Sequence, residues 1–564
     1  MNPNGTYTNE VPQYEGQNVF KANEVIIEDL TKAGHLVARK DIVHSYPHCW
    51  RSKSPLIFRA TSQWFIKMDD ENYNIRKKAL AEIDNINFVP SWGVKRLTAM
   101  IENRPDWCIS RQRNWGVPLP VLYCKACDHP LIDENIMEKI ATTMENGLGI
   151  EAYHDLPIEE LTSGHECSEC GNKEFKKGKD ILDVWFDSGI CHAAVQRKRE
   201  GLKFPADLYL EGSDQHRGWF QTSLLTSIAS QGEKPFKTLL THNFVNDSKG
   251  RKMSKSLGNV VDPLDLIKKS GAELLRLWSA SQDYGQDMNY SQEGFQRVTE
   301  TYRRLRNTMR FLLGNIGDFD YSKDKVVYED MTALDQWALD RLYLFMETVE
   351  GHYENYEYYK VYHALNNFFT VDLSSLYLDI VKDRLYTWKT DGGARRSCQT
   401  VIYLLTENLI KIMAPITSFL SEETYSHFAG KTQNSVFLES YPKAVKDWEN
   451  PTLREQFDLL LNVRSVASKN LEEARADKTL GSSLEAAISI TAPEKEKAAL
   501  EKLGTKALKE FFIVSQLEIK EGPEILVQVQ KAAGEKCPRC WNYDTLVETQ
   551  EYGHICPKCN EALS

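Results

Sequence analysis

The chain has 564 residues, of which 41% are hydrophobic and 26% are charged, and its 69 basic and 80 acidic side chains give a net charge of −11. A chain of this length exceeds what one hydrophobic core can support, so we expect several domains. The acidic balance excludes a protein coated with basic charge for nucleic acid, but it still allows an RNA partner bound by local patches.

The first 180 residues predict an irregular start and a cysteine-rich insertion. A short helix is expected over 24–33, within a segment, 1–45, that has the character of the tail of a larger domain. The stretch 46–120 is rich in Trp, Arg and Pro and contains strand-like runs such as 56–58. Residues 121–180 follow as a polar insertion bracketed by cysteines.

Residues 180–290 alternate short apolar runs with helical patterns, as α/β units do. A buried strand is predicted over 207–210, and a helix from Phe220 onward. The turn between them offers a carboxylate, an amide, an imidazole and a guanidinium, which together can hold ribose hydroxyls, an amino group and a phosphate. Ligands of open parallel sheets bind at such turns. The alternative is a capped helix start with surface side chains. The turn comprises Glu211, Gly212, Ser213, Asp214, Gln215, His216 and Arg217.

A lysine-rich loop follows the next predicted strand, which covers 239–245. The loop offers two ammonium groups and two hydroxyls close to glycines, which suits a polyphosphate that must be gripped while charge moves along it. A basic surface turn is the alternative. Beyond the loop, Asp262 is expected to cap a helix that Gly271 closes. The loop residues are Lys252, Met253, Ser254, Lys255 and Ser256.

Residues 295–430 predict a bundle of helices, because apolar residues recur at helical spacing. The most apolar long stretch, 401–416, is interrupted by Glu407 and Lys411. It therefore predicts a buried helix rather than a membrane span.

Arginines form a stripe along one of these helices. Arg303, Arg306 and Arg310 share a face opposite Leu305 and Met309. The stripe is either a surface that faces phosphates or a solvated face paired with acids elsewhere.

The cysteines predict metal binding. Eight of the 12 cysteines fall in four Cys-x-x-Cys pairs. The start of the chain has no charged-then-apolar leader pattern. We therefore expect a cytoplasmic protein whose paired cysteines bind zinc.

Two of these pairs lie at the end of the chain and are separated by 15 residues. Four thiolates at this spacing can close a tetrahedral zinc site, and the metal would supply folding energy to a segment too small for its own core. The alternative is redox-active or unpaired thiols. The nearby Arg539, Trp541 and Lys558 suit an RNA contact. The four ligands would be Cys537, Cys540, Cys556 and Cys559.

The other two pairs lie in the insertion and are separated by 39 residues. This gap is longer than in a usual zinc ribbon, so the zinc prediction is weaker and non-ligating thiols remain the alternative. The residues are Cys124, Cys127, Cys167 and Cys170.

The motifs together resemble the isoleucyl members of the class I aminoacyl-tRNA synthetases. Residues 252–256 are similar to the second signature loop of the class, and 211–220 to the isoleucyl form of the adenylate-binding segment, with Glu211 lying 41 residues before Lys252. Residues 104–116 and 183–189 are similar to two further blocks of the family.

The resemblance implies a class I α/β fold. It comprises a partial Rossmann-type catalytic domain, an α-helical anticodon-binding bundle and a small C-terminal zinc-binding module. The implied boundaries are 1–45 for a remnant of an editing insertion, 46–290 for the catalytic domain, 291–445 for the bundle, 446–530 for a C-terminal α/β junction and 531–564 for the zinc module.

The resemblance also implies an ATP-dependent isoleucine–tRNA ligase, with Mg²⁺, that acts as a monomer. Lys252 and Lys255 would stabilise the departing pyrophosphate, with Ser254 and Ser256 in the same ATP-binding loop. Glu211, Gly212, Asp214, Gln215 and His216 would bind isoleucyl-adenylate, and Trp185 and Trp219 would wall the isoleucine pocket. The partners implied are tRNA(Ile), contacted by Arg303, Arg306, Arg310, Arg539 and Trp541, together with isoleucine and ATP. The C-terminal cysteines would hold one zinc ion and the insertion cysteines a second.

The His-x-Gly-His motif of class I synthetases is absent from the sequence. We expect the chain to represent the C-terminal portion of a family member and to be inactive alone. The alternatives are a valyl- or leucyl-type synthetase, or a non-catalytic tRNA-binding protein derived from a synthetase.

Overall fold

The computed structural model describes residues 1–49, 52–147 and 149–564. The chain forms two units, each built from several stretches. The first unit comprises Met1–Ile86, Val94–Asp207 and Asp214–Lys237, and the second comprises Asn87–Gly93, Leu208–Ser213 and Thr238–Ser564.

Short strands alternate with helices over the first 290 residues. The helices are α1 (Ala22–Lys32), α2 (Ile75–Ile83), α3 (Gly93–Glu102), α4 (Glu134–Asn146), α5 (Ile150–Asp155), α6 (Ile158–Thr162), α7 (Val184–Gly189), α8 (Trp219–Gln231), α9 (Pro263–Ser270) and α10 (Ala272–Ala280). The strands are β1 (Phe65–Ile66), β2 (Asn87–Val89), β3 (Trp107–Cys108), β4 (Ser110–Arg111), β5 (Leu122–Cys124), β6 (Pro130–Leu131), β7 (Phe175–Lys177), β8 (Ile181–Leu182), β9 (Ala206–Gly212), β10 (Phe236–His242), β11 (Val245–Asn246) and β12 (Met288–Asn289).

A three-stranded sheet in the order β2-β10-β9 supports the two candidate ligand loops. Strands β10 and β2 are parallel, with Thr238 opposite Asn87. The amide of Ala206, which begins β9, donates to the carbonyl of Pro235, just before β10. Strands β9 and β10 therefore start at the same edge, and α8 connects them in the chain as a crossover helix does.

Three predictions about this region have different outcomes. The helix expected over 24–33 is confirmed as α1. The strand expected over 207–210 exists as β9, but Leu210 is 50% exposed. It was wrong to expect a buried strand, because β9 lies at the edge of the sheet order. The strand-like run 56–58 pairs with no strand in the described part of the chain, and Phe58 is exposed.

The insertion has an apolar core of its own. Strands β5, β6 and β7 form an antiparallel sheet in the order β6-β5-β7. Helices α4, α5 and α6 follow β6 in the chain, and the buried cluster combines both kinds of element. The cluster comprises Leu122, Ile136, Ile140, Tyr153 and Leu161.

The following part of the second unit is helical. Its α-helices are α11 (Gln292–Gly314), α12 (Tyr321–Asp324), α13 (Ala333–Glu354), α14 (Tyr358–Asn367), α15 (Leu378–Ile380), α16 (Lys382–Thr387), α17 (Gly393–Met413) and α18 (Ser418–His427). The stretch 401–416 falls largely in α17, which has 13 buried residues. None of the helices in the described ranges is long and apolar enough to cross a membrane.

The chain ends in an α/β layer and a small cysteine-containing module. The elements are α19 (Pro451–Ala476), β13 (Ala486–Ala492), α20 (Glu494–Leu503), α21 (Thr505–Phe512), β14 (Gln516–Glu521), β15 (Leu526–Lys531), β16 (Glu535–Lys536), β17 (Tyr543–Asp544), β18 (Val547–Thr549), β19 (Gly553–Ile555) and α22 (Pro557–Leu563). Strand β13 lies between β14, which is parallel to it, and β15, which is antiparallel. One apolar core runs from Leu274 in α10 through the bundle to Val527 in β15.

Candidate active site and metal centres

The lysine loop (252–256) begins at the second arm of a β-hairpin that follows β10. Asn246 of β11 pairs in parallel with Asn289 of β12 and forms an antiparallel bridge with Lys252. The turn is closed by the amide of Gly250, which donates to the carbonyl of Asp247 at 3.0 Å. Gly250 has φ +73°, a conformation that favours glycine.

Two polar side chains that the sequence analysis did not single out hold the base of this loop. Asp247, 9% exposed, accepts a hydrogen bond from Nδ2 of Asn259 at 3.0 Å and pairs with Arg251 at 2.8 Å. Hydrogen bonds, the largest from Asn259, hold the pKa of the Asp247 carboxyl well below its usual range. Asn259 also accepts from the amide of Ser254 at 2.9 Å.

The two lysines of the loop have different surroundings. The ammonium of Lys252 lies 5.6 Å from the centre of the Phe244 ring. Lys255 begins a single 3₁₀ turn, Lys255–Leu257, which the hydroxyl of Ser254 caps at 3.3 Å. Lys255 is exposed and makes no ion pair with any side chain that the structure describes. The loop thus presents one ammonium at its tip and keeps the other against an aromatic ring.

The polar residues of the turn after β9 differ in their exposure to solvent. Residues Ser213–Arg217 form a 3₁₀ turn that leads into α8. Glu211 and Asp214 are exposed, whereas His216 is fully buried and its ring packs edge-on against Phe220 at 5.4 Å. The imidazole is therefore buried beneath the turn, and the exposed side chains of the turn are those of Glu211, Asp214 and Arg217.

Gln215 and Gly218 organise the start of α8 around two tryptophans. Oε1 of Gln215 accepts from the amide of Trp219 at 3.2 Å. The indole N–H of Trp219 donates to the carbonyl of Ser188 at 3.0 Å. A Cβ on Gly218 would lie 2.9 Å from the ring of Trp185, so only glycine lets this ring lie against the helix start.

Asp183 joins the two tryptophan-containing blocks of the first unit. Its buried carboxylate accepts from Nε1 of Trp107 at 3.2 Å and from Nη2 of Arg111 at 2.8 Å. It also caps α7 through the amide of Trp185. Asp183 lies directly before Val184–Gly189, and an aspartate at this N-cap position is the sequence signal that predicts its capping role.

The C-terminal cysteines converge. The donor atoms of Cys537, Cys540, Cys556 and Cys559 all lie within 4.8 Å of one another, and all four residues are buried. The Sγ atoms of Cys540 and Cys556 are 3.5 Å apart, near the roughly 3.8 Å edge of a tetrahedron with Zn–S bonds of about 2.3 Å. The hydrogen bond from Cys559 is the largest cause that lowers the pKa of Cys540, to about 4. Four convergent thiols, one readily ionised, fit zinc.

The insertion cysteines also converge within 4.8 Å, but Cys127 and Cys170 are exposed. Sγ of Cys124 is 3.6 Å from Sγ of Cys170. Burial acts to raise the pKa of Cys124, but hydrogen bonds led by those from the amides of Cys127 and Ala126 outweigh it and lower that pKa to about 6. The residues fit a second zinc site despite their long spacing. All 12 cysteines of the chain are free thiols.

The predicted tRNA-binding residues differ in whether their side chains already contact other parts of the chain. Arg303 and Arg310 are exposed and form no ion pair within the described ranges, but Arg306 pairs with Glu423. Arg539 donates to the carbonyl of Thr387 in α16. Trp541 is 60% exposed.

A cavity of about 790 Å³ lies between α16, α21 and the C-terminal cysteine module. Trp388, Lys506, Arg539 and Trp541 are among its lining residues. The ammonium of Lys506 lies 4.8 Å from the centre of the Trp388 ring. Cationic and aromatic groups therefore share this surface.

Comparison with known families gives three consecutive matches. The profile of class I tRNA synthetases (I, L, M and V) matches residues 9–291. The anticodon-binding domain of tRNA ligase matches residues 335–490, and the zinc finger found in FPG and IleRS matches residues 534–561.

Curated relatives align with nearly the whole chain. The isoleucine–tRNA ligase of Syntrophotalea carbinolica is 46% identical over 99% of this chain and 61% of its own length. That of Geobacter sulfurreducens is 46% identical over the same shares. The chain thus spans about three fifths of the curated relatives it matches. A methionyl-tRNA synthetase of Mycobacterium tuberculosis in complex with methionyl-adenylate aligns with 71% of this chain and 73% of its own, at 15% identity and a TM-score of 0.48.

Proposed function

The chain belongs to the class I tRNA synthetases of the isoleucine, leucine, methionine and valine group, and we propose that its function is that of an isoleucine–tRNA ligase. Such a ligase activates isoleucine with ATP to isoleucyl-adenylate and transfers the aminoacyl group to tRNA(Ile). The relatives named isoleucine–tRNA ligase support isoleucine over the other amino acids, at 46% identity across 99% of the chain.

The observation that carries the proposal is the position of the two ligand loops, because each follows one of two neighbouring parallel strands. The adenylate-binding turn follows β9, and the lysine loop follows β10 by way of β11. Since ligands of parallel sheets bind beyond the carboxyl ends of the strands, the arrangement supports one nucleotide held by both loops.

In this proposal Lys255 stabilises the negative charge that develops on the β- and γ-phosphates as pyrophosphate leaves. Its exposed position at the loop tip lets it reach a phosphate, and Lys252 assists from nearer the base. Ser254 and Ser256 complete the ATP-binding loop, with Mg²⁺ as the accompanying cation. Removing one preorganised donor of this kind costs about 3 to 4 kcal/mol of transition-state stabilisation.

The adenylate would be held by the turn after β9. Glu211 and Asp214 supply exposed carboxylates, and Gly212 and Gln215 shape the backbone beside them. His216 supports the turn from behind. The tryptophans that meet at the start of α8, Trp185 and Trp219, would wall the isoleucine side chain. In such a pocket one methylene is worth roughly 1–3 kcal/mol, a magnitude for which this enzyme family is itself the standard example.

We also propose that tRNA binds along the second unit. Arg303 and Arg310 offer free guanidinium groups, Trp541 offers an exposed ring for stacking, and Arg306 and Arg539 would contribute beside their internal partners. Each cysteine quartet would hold one zinc ion. The protein would act as a cytoplasmic monomer.

The test of the proposed function is Lys255→Ala in a polypeptide of the relatives' full length that contains this chain. Isoleucine-dependent exchange of pyrophosphate into ATP should fall by a factor of about 100 or more. Isoleucine binding should remain nearly intact, because the proposal assigns the loop to the phosphates and not to the amino acid. Lys249→Ala, an exposed lysine on the same hairpin, is the matched control.

An unchanged exchange rate in Lys255→Ala would contradict the catalytic role. Exchange that is supported by valine or leucine instead of isoleucine would assign a different member of the family. Specific tRNA binding without any exchange would favour a non-catalytic tRNA-binding protein.

A further inference from the structure

The carboxylate of Asp247 has an unusually complete set of hydrogen-bond donors for a residue in a surface hairpin. Oδ1 accepts from the amides of Lys249 at 3.0 Å and Arg251 at 2.9 Å. Oδ2 accepts from Nε of Arg251 at 2.9 Å and from Nδ2 of Asn259 at 3.0 Å. Each bond to a charged group is among the stronger kinds in proteins, so the hairpin turn is fixed to this one side chain.

Asn259 connects Asp247 to the lysine loop through hydrogen bonds. While its Nδ2 donates to Asp247, its Oδ1 accepts from the amide of Ser254 at 2.9 Å. The same Nδ2 also lies 3.3 Å from the carbonyl of Lys252. Both ends of the segment that contains Lys255 are therefore tied to the same pair of side chains.

The consequence is a loop with a fixed base and a free tip. The side chain of Asp247 is 12% exposed, whereas Lys255 and Ser256 are exposed and lie in the short turn that Ser254 caps. A base that is held in place limits the positions that the Lys255 ammonium can sample. Fewer positions mean that less conformational entropy is lost when the ammonium engages a phosphate.

We propose that Asp247 and Asn259 are positioning residues that hold the lysine loop so that Lys255 meets the departing pyrophosphate. The inference rests on the proposed function. It adds two residues that touch no reacting atom but determine where the ammonium lies.

The first test measures backbone amide hydrogen exchange at single-residue resolution on the 564-residue chain. Asn259→Ala should speed exchange at the Ser254 amide by about tenfold and leave the Arg251 amide less affected, because the Ser254 amide donates to Asn259 and the Arg251 amide donates to Asp247. Asp247→Asn should speed exchange at Arg251 and Ser254 together. Unchanged exchange at Ser254 in both variants would overturn the proposal.

The second test measures pyrophosphate exchange in the longer polypeptide described above. Asp247→Asn and Asn259→Ala should each lower kcat by about 10- to 100-fold, since a misplacement of about 1 Å has effects of this size. The KM for isoleucine should hardly change. Asp287→Asn is the matched control, because Asp287 accepts from the amide of Phe244 and the side chain of Asn246 and, within the described ranges, makes no hydrogen bond or ion pair with 252–256.

The two proposals fail in different ways. If the amides exchange faster and kcat stays unchanged in the Asp247 and Asn259 variants while Lys255→Ala still lowers turnover, the positioning role is wrong and the proposed function stands. If Lys255→Ala has no effect on turnover, the proposed function fails, and with it the role of the loop that Asp247 holds.

Discussion

Each of the two cysteine quartets offers four thiol ligands, but the segments that carry them have different apolar cores. The insertion quartet lies in a segment with a separate apolar cluster that includes Leu122 and Tyr153. The C-terminal module buries its four cysteines with Ile555, and the partly buried Leu546 and Leu563 pack against them. One local motif can therefore reinforce a segment that already has a core, or can itself form most of the core.

The two quartets also differ in their connections. Lys558, which lies between two C-terminal cysteines, pairs with Asp383 of α16 at 2.5 Å. A basic side chain between two cysteines of the insertion, Lys125, pairs with the exposed Glu174 of the same insertion. The C-terminal module is thus tied to the helical bundle, whereas this contact of the insertion is internal.

The largest expected effect comes from removing one pair of ligands. Cys537→Ser combined with Cys540→Ser should remove one zinc and unfold 535–563, because structural zinc supplies about 10 to 16 kcal/mol of apparent folding energy in small modules. Metal content and hydrogen exchange measure the result. Cys124→Ser combined with Cys127→Ser is the matched pair and should leave α4 protected. Equal unfolding of both segments would remove the distinction.

The next effect concerns RNA. Trp541→Ala should weaken tRNA binding by about 1–3 kcal/mol, the usual value of one base stacked on an aromatic ring. Filter binding with a tRNA(Ile) transcript measures the affinity. Tyr552→Ala, an exposed aromatic residue in the same module, is the control. If both variants bind like the unmodified chain, the C-terminal module has no stacking role.

The order of metal loss gives a smaller effect. A chelator should take zinc from the insertion quartet on the order of tenfold faster than from the C-terminal quartet, because thiol reactivity follows exposure. The exposed Cys127 and Cys170 are the cause. Release followed with a chromogenic zinc ligand should show two phases, and the fast phase should vanish in Cys124→Ser with Cys127→Ser. A single phase would mean that burial does not set the rate.

The smallest expected effect comes from breaking the ion pair between Lys558 and Asp383 of α16. Asp383→Asn should lower the free energy of unfolding of the C-terminal module by about 1 kcal/mol, since the ion pair is only partly buried. Asp379→Asn removes a neighbouring carboxylate that pairs with Lys382 and not with the module. Denaturant unfolding followed by release of zinc measures both. An equal change in the two variants would show that the tie is not specific.

What the sequence could predict was local. The cysteine quartets, the lysine loop and the helix from Asp262 to Gly271 depend on residue types at short spacing, and the structure confirms that the cysteines converge and that Asp262 caps α9. Metal coordination and helix capping act over a few residues, so their patterns can be read directly.

What the sequence could not predict depends on distant partners. Arg539 and Lys558 both suited an RNA contact, but each has a partner more than 150 residues earlier in the chain. The burial of His216 and the engagement of Arg306 by Glu423 likewise depend on packing. A charged residue on a helix or turn has the same pattern whether its partner is RNA, solvent or another part of the fold.

Helix α16 places two adjacent charges in different directions. Asp383 faces the cysteine module, and the buried Arg384 pairs with Glu510 of α21 at 2.8 Å and with Asp335 of α13 at 3.1 Å. Successive residues of a helix are about 100° apart around its axis. A one-residue insertion or deletion just before Asp383 would rotate both side chains away from their partners in a single step, so α16 cannot change length unless several separate contacts are rebuilt at once.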